Sequence, residues 1–199
     1  MNHFGRQNFL ASFCYTKNMN KIYLVTGNTH KLEEWRRQLP SDISIDSIDL
    51  DLPEIQSMDP EEIMADKAKR AYEATGKPVV VEDVSAGLVK LGGLPGPFIK
   101  FFIKALGNDA LFTLAGNEGE SAVVSCSVAY YDGQNLLTVR GDVKGTVVSS
   151  RGDNGFGFDQ TFIPDGQGST YAEMSAEQKD NVSHRSAAIK LFVNELRSR

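Results

Sequence analysis

Cysteine is scarce in this 199-residue chain, and long apolar runs are absent from it. The two cysteines, Cys14 and Cys126, are far apart and have no histidine cluster nearby, which excludes zinc fingers, iron–sulfur motifs and a disulfide framework. This usage is typical of a reducing compartment, so we expect a cytoplasmic protein. No stretch approaches the roughly 18 apolar residues of a membrane-spanning helix, and we expect no membrane association.

Basic residues are also in the minority, with 21 Lys and Arg against 26 Asp and Glu, for a formal net charge of −5 at pH 7. A chain with this balance is not expected to bind nucleic-acid backbones in general, so any anion site must be local. Hydrophobic residues make up 41% of the chain and charged residues 24%, the usual proportions of a globular domain. The length fits one domain, or two lobes that share a core.

Residues 1–20 differ in composition from the rest of the chain. They contain no Asp or Glu and include Arg6 and Lys17, as a transit peptide does, but they show no clear helical stripe. The alternative is a disordered extension before Met19, and we favour it because chain termini are commonly unordered. We therefore expect a single domain over residues 21–199.

Strand and helix patterns alternate along the chain. Residues 22–25 predict a buried strand that ends at the turn Thr26-Gly27-Asn28, and a helical apolar spacing follows the turn. Asp59-Pro60 predicts the start of a second helix, which runs to about Thr75, and residues 78–81 predict a buried strand that delivers Glu82 and Asp83 at its end.

The second half of the chain predicts an antiparallel hairpin between two helical regions. Residues 122–131 and 136–148 read as its strands, and Ser183 is positioned to cap a final helix. In the helix that follows the loop 92–97, an apolar face is expected from Phe98, Phe101, Phe102 and Leu106. We therefore expect an α/β fold with a mixed β-sheet flanked by helices.

Three polar segments lie where α/β proteins bind ligands: the turn at 26–28 with Lys31, the pair Glu82-Asp83, and Ser183-His184-Arg185 at a helix start. Each has a structural alternative, respectively a turn with a solvated lysine, a structural cap, and an N-cap followed by surface residues. The chain has no G-x-S-x-G, Walker A or G-x-G-x-x-G sequence, which excludes the hydrolase elbow, the P-loop and the Rossmann fingerprint.

Taken in order, the motifs of residues 22–196 resemble those of the inosine triphosphate pyrophosphatase (Ham1-like) family. The matching segments are 26–31 (TGNTHK), 52–54 (LPE), 82–83 (ED), 91–97 (LGGLPGP), 156–159 (FGFD), 170–174 (TYAEM) and 183–185 (SHR). The resemblance implies an elongated mixed sheet, two lobes with a nucleotide cleft between them, and a homodimer. It also implies hydrolysis of ITP, dITP and XTP to the nucleoside monophosphate and pyrophosphate with Mg²⁺, for which Mn²⁺ is a possible substitute.

The resemblance also assigns site residues. The triphosphate-binding loop corresponds to Thr26, Gly27, Asn28 and Lys31, and the metal-associated carboxylates to Glu54 and Asp83. Lysines that contact phosphate or nucleotide correspond to Lys67, Lys100 and Lys179. The base pocket corresponds to Phe156, Gly157, Phe158, Asp159, Ser183, His184 and Arg185. Asp83 and Lys67 are the catalytic candidates, and Asp83 would orient or deprotonate the attacking water, alone or through the metal.

Base choice follows from donors and acceptors, because an Arg185 donor aimed at position 6 would favour the carbonyl of hypoxanthine over the amino group of adenine. Two positions depart from the family pattern: Val84 replaces a serine or threonine, and Phe158 replaces a tryptophan or tyrosine. We expect activity to survive both. The alternatives are a nucleotide sensor that has lost turnover, and a pyrophosphatase for modified pyrimidine or methylated nucleotides.

Overall fold

The computed structural model describes residues 21–198. The expectation of a disordered extension over residues 1–20 lies outside this range. Within this range there are seven strands: β1 (Lys21–Val25), β2 (Ser44–Ile48), β3 (Val79–Leu88), β4 (Pro95–Gly96), β5 (Glu120–Tyr131), β6 (Leu136–Val147) and β7 (Phe162–Pro164). The same residues form six α-helices: α1 (Thr29–Gln38), α2 (Pro60–Thr75), α3 (Ile99–Leu106), α4 (Ala110–Ala115), α5 (Ala176–Val182) and α6 (His184–Ser198).

All seven strands belong to one mixed sheet in the order β2-β1-β3-β5-β6-β7, with β4 paired to β3. The first three strands of this order are parallel, while β5, β6 and β7 join by antiparallel pairing. β5 and β6 form the expected hairpin, with Tyr131 opposite Leu136 at its closed end. The α/β class with a mixed sheet flanked by helices is therefore confirmed.

Apolar packing is divided between the two ends of this sheet. At one end, α1 and α6 cover one face around Trp35 and Phe192, and α2 covers the other face around Met64. At the other end, α3 and α4 pack with Phe162 and Tyr171 in a separate cluster. The molecule therefore has two packed regions, and the long strands β3, β5 and β6 run from one to the other.

Local signals for helix ends act as the sequence predicts. Asp59 accepts a hydrogen bond from Glu61 N at the start of α2, with Pro60 in the first turn, and Gly76 ends the helix at φ 63°. That left-handed conformation favours glycine, since a side chain there would be strained. Ser183 Oγ accepts from Ser186 N, 3.2 Å away, and so caps α6 as expected.

Two expectations about the elements are wrong. Glu82 and Asp83 lie in the middle of β3 rather than at its end, because β3 pairs with β5 over its whole length, from Val79 to Leu88. The apolar face expected on α3 is wrong in part: Phe101 and Leu106 are exposed and Ile99 is buried, whereas Phe102 packs against the apolar cluster as expected. Between residues 21 and 198, no helix is both long enough and apolar enough to span a membrane.

Candidate active site

A cleft of about 390 Å³ lies where the two packed regions meet. Residues from α1, α2, β3, α3, α6 and two loops line it: Lys31, Glu54, Lys67, Asp83, Val84, Ile99, Lys100, Ile103, Phe156, Gly157, Phe158, Asp159, His184 and Arg185. Eleven of these were predicted as site residues from the sequence, although they come from segments far apart in the chain. The fold therefore brings most of the predicted site together.

Lysines and carboxylates are interleaved in one part of the cleft. Lys67 on α2 donates to Glu54 Oε1 at 2.6 Å, and Lys100 on α3 pairs with the other oxygen of the same carboxylate. Burial raises the pKa of Asp83, and the charges of Lys67 and Lys31 oppose that rise. Burial likewise lowers the pKa of Lys67. In this part of the cleft, burial therefore raises the pKa of an acid and lowers the pKa of a base, and such shifts are common at catalytic sites.

A second part of the cleft is built around the guanidinium of Arg185. Its Nε and Nη2 atoms donate to Glu82 on β3 at 3.0 to 3.2 Å, and Nη1 donates to Glu34 on α1. Arg185, Glu82 and Glu34 are 1%, 2% and 6% exposed. The Arg185 Cζ atom lies 5.6 Å from the centre of the Phe156 ring. The arginine is therefore held rigidly beside an aromatic face, as a cation–π contact requires.

The loop that carries Phe156 is fixed by Asp159. Asp159 Oδ2 accepts from the backbone N–H of Phe156 at 2.8 Å and from Lys179 Nζ at 2.8 Å. Lys179 also donates to Glu34 Oε1 at 3.0 Å. On the Phe156 ring, His30 is stacked with centroids 5.6 Å apart and planes at 22°. Lys179 therefore holds the aromatic loop to α1.

Five predicted site residues do not line the cleft. Thr26 Oγ1 accepts from Asn28 N at 3.1 Å, and Asn28 Oδ1 caps α1 by accepting from the backbone N–H groups of residues 30 and 31. A side chain at Gly27 would meet Asp49 Oδ1 at 2.6 Å. Ser183 is buried as the cap of α6, and Lys179 lies behind Asp159. In this structure these residues build the frame of the cleft rather than its surface.

Residues 22–195 match the model of the Ham1 family. The chain belongs to the Ham1 family. An inosine triphosphate pyrophosphatase of Yarrowia lipolytica is 42% identical over 181 residues, which cover 87% of this chain and 96% of the relative. A dITP/XTP pyrophosphatase of Methanopyrus kandleri is 37% identical over 176 residues, covering 86% and 94%. The solved Ham1 protein of Staphylococcus aureus has a TM-score of 0.76 at 27% identity, covering 89% and 98%.

The two departures from the Ham1-like motifs have structural consequences in this chain. Val84 lines the cleft and packs against the apolar clusters at both ends of the sheet, so its side chain contributes an apolar wall at the position where the family pattern has a hydroxyl. Phe158 is 4% exposed, and its ring lies 6.4 Å from Phe162 and 5.8 Å from His184. Phe158 therefore keeps the aromatic character of its position but presents no polar atom.

Sequence reasoning missed several members of this Ham1 site. Glu34 was not identified, although it follows Lys31 by three residues and therefore shares its face of α1. The apolar wall formed by Ile99 and Ile103 was not predicted either, because the phenylalanines between them in the sequence suggested a different apolar face for α3. A charged residue on the inward face of a helix, next to a buried tryptophan, is the signal that could have found Glu34.

The donor set suits a divalent metal shared with a phosphate ligand. Glu54 and Asp83 reach the same cleft from different segments, and Mg²⁺ at nucleotide sites is commonly held by one or two carboxylates plus substrate phosphates. Over residues 21–198, no group of three or more His, Cys, Asp or Glu could hold a metal by itself. Burial raises the pKa of Asp83 because it disfavours the ionised carboxylate, and a cation bound beside Asp83 would favour that ionised form again. The residues present therefore fit Mg²⁺ delivered with a phosphate.

Proposed function

We propose that this Ham1 protein hydrolyses non-standard purine nucleoside triphosphates, namely ITP, dITP and XTP, to the nucleoside monophosphate and pyrophosphate. The observation that carries the proposal is the division of one cleft into a lysine–carboxylate part and an aromatic part beside a buried arginine. The first part suits a triphosphate and the second suits a purine. Similar proteins over most of the chain are named inosine triphosphate and dITP/XTP pyrophosphatases, which supports the same assignment.

The phosphate end of the reaction is assigned to Lys31, Lys67 and Lys100. A triphosphate carries about four negative charges near neutrality, and cleavage at the α-phosphorus moves charge onto the leaving pyrophosphate, which lysines stabilise. Asp83 is the candidate to orient or deprotonate the attacking water, because burial raises its pKa toward the range of a useful base. Glu54 and Asp83 would hold Mg²⁺, or Mn²⁺ in its place, and the metal would supply further charge stabilisation to the phosphates.

The base end is assigned to Phe156, Phe158, His184 and Arg185. The Phe156 ring offers a face for stacking, and burial lowers the pKa of His184, so that residue remains neutral beside the base. A guanidinium has five N–H donors, and the bonds to Glu82 and Glu34 use one on each of its three nitrogens. The other two N–H groups are available to a 6-carbonyl, which hypoxanthine and xanthine possess and adenine lacks.

A panel of nucleoside triphosphates, analysed for products, tests the proposal. The expected result is release of pyrophosphate and IMP from ITP in the presence of Mg²⁺, with slower release from ATP. Phosphate and IDP as products would contradict the reaction type. Tight ITP binding without turnover would indicate a nucleotide sensor, and a preference for modified pyrimidine or methylated nucleotides would indicate the other alternative.

We further propose that the protein acts as a homodimer in the cytoplasm. Met58 and Val89 line a second depression on the surface, and with Leu91 and Leu94 they are 42 to 59% exposed. Exposed apolar side chains grouped in this way are typical of an interface. The free thiol of Cys126 supports a reducing compartment. Val89→Asp should shift the mass measured by light scattering from dimer to monomer, and an unchanged dimer would place the interface elsewhere.

A further inference from the structure

Trp35 is the one tryptophan of the chain, and it is fully buried on α1. Its ring packs edge-on against Phe192 of α6, with centroids 5.6 Å apart and planes at 72°. That contact explains why an aromatic side chain lies at this position, but it does not explain why the side chain is one with an N–H donor. The Nε1–H group donates to Glu82 Oε2 at 2.6 Å, inside the protein and 47 residues away in sequence.

Glu82 is the shared partner of the cleft's two halves. It accepts three contacts from Arg185 at 3.0 to 3.2 Å and forms an ion pair with Lys31 at 3.1 Å. Burial alone raises the pKa of Glu82, but Arg185, Lys31 and Trp35 together lower it well below its usual range. The carboxylate is therefore a fixed anion that connects the proposed phosphate lysine with the proposed base-reading arginine.

The indole differs from the two charged donors, Lys31 and Arg185, in that it has no second role at the substrate. Under the proposed function Lys31 turns toward the triphosphate, and a lysine bound to phosphate interacts less with Glu82. Arg185 in turn offers N–H groups to the base. Trp35 carries no charge, does not line the cleft and keeps its packing on Phe192 throughout. The only other such contact among the described residues is the Cys126 thiol, whose Sγ lies 4.0 Å from the same Glu82 oxygen, so the indole N–H at 2.6 Å is the closer donor that can hold the carboxylate in place while the two cations engage substrate.

We propose that Trp35 is a positioning residue, which acts through Glu82 to keep the Arg185 guanidinium aligned for base recognition. The inference rests on the proposed function, because it presumes that Arg185 reads the base. Loss of the indole N–H should let Glu82 and Arg185 shift together, while the lysines at the phosphate end remain able to bind a triphosphate.

Trp35→Phe tests this inference, since it keeps a ring against Phe192 and removes the donor. The expected result is a fall of about tenfold in kcat/KM for ITP, mainly through KM, with a much smaller change for ATP, so that the ITP-to-ATP ratio falls nearly as much. Phe192→Leu is the matched control, because it loosens the same packing without touching Glu82. Its ITP-to-ATP ratio should equal that of the parent, even where its melting temperature falls further.

Two more variants make the outcome independent of one substitution. Trp35→Met also lacks a donor and should lower the ratio like Trp35→Phe, whereas Trp35→His retains a ring N–H and should recover part of it. A ratio in both donor-free variants equal to that of Phe192→Leu would overturn the inference, since the role of Trp35 would then be packing alone. Absence of pyrophosphate release from ITP by the parent protein would instead refute the proposed function itself.

Discussion

Arg185→Ala is expected to lower the melting temperature of the protein in addition to any effect on base recognition. The arginine is buried between two carboxylates, Glu82 and Glu34, and both lose their main partner in the variant. Burial alone raises the pKa of each, and the arginine's charge is the largest factor that holds it below its usual value. The substitution therefore leaves two buried anions with less compensation, in addition to a cavity.

The size of the loss follows from the partners that remain. Removing one member of a buried ion pair typically costs about 3–5 kcal/mol. Glu34 retains Lys179 at 3.0 Å, and Glu82 retains Lys31 at 3.1 Å and the Trp35 indole at 2.6 Å, so the lower end applies. At roughly 2–4 °C per kcal/mol for a domain of this size, a cost of about 3 kcal/mol lowers the melting temperature by roughly 6–12 °C.

The pH dependence of that loss distinguishes lost charge pairing from lost packing. In the parent, the lowered pKa of Glu82 means that its contribution to stability is present above about pH 4.3, the usual unfolded value, and is lost below it as pH falls through the folded pKa. In the variant the folded pKa of Glu82 and of Glu34 rises, so protonation on acidification relieves the destabilisation. The difference in melting temperature between the parent and Arg185→Ala should therefore be largest near pH 7 and smaller near pH 5.

Differential scanning calorimetry at pH 7.5 and pH 5 measures both quantities. Arg197→Ala is the matched control, because Arg197 pairs with Asp42 at 2.9 Å while both side chains are more than half exposed. It should change the melting temperature by a few degrees at most. A loss under about 3 °C in Arg185→Ala, or a gap that does not narrow at pH 5, would refute the account of Arg185 as the charge that stabilises two buried carboxylates.

Further predictions concern the phosphate end of the cleft. Asp83→Asn should lower turnover by about 10²-fold or more. The melting temperature of this variant should equal or exceed that of the parent, because burial already disfavours the ionised form of Asp83. Turnover within a few-fold of the parent at saturating Mg²⁺ would refute the assignment. Lys67→Ala should weaken ITP binding by about one to two decades and IMP binding far less, and titration calorimetry that shows equal losses would make this lysine structural. Chelation of divalent metal should abolish pyrophosphate release, and full activity in EDTA would exclude the metal role of Glu54.

The parts of the fold that the sequence predicts are those governed by neighbouring residues. Asp59, Pro60 and Gly76 bound α2 because a cap, a fixed φ and a left-handed residue each act within one turn of the chain. The hairpin of β5 and β6 likewise depends on a short turn between alternating patterns. Such signals need no knowledge of the tertiary structure, and the observed elements confirm them.

The buried charges of the cleft could not be predicted in the same way. Arg185 meets Glu82 across 103 positions and Glu34 across 151, and no local pattern encodes which carboxylate a buried arginine will find. The position of Glu82 within β3 depended on the length of its pairing with β5, which is set by a strand some 40 residues later. Motif resemblance identified the cleft residues but gave no account of how they pair.

Charge balance connects these pairs to the proposed reaction. Among the cleft and its supporting shell, the anions are Glu34, Glu54, Glu82, Asp83 and Asp159, and the cations are Lys31, Lys67, Lys100, Lys179 and Arg185. Each of these five cations already forms an ion pair with a carboxylate, so none of them is unpaired before a triphosphate binds. A phosphate that takes Lys67 and Lys100 must therefore release Glu54, the carboxylate both lysines hold. The released Glu54 then lies in the same cleft as Asp83 with fewer cations to balance its charge. Two carboxylates in that state are the best placed to bind a divalent cation, because its charge replaces that of the lysines.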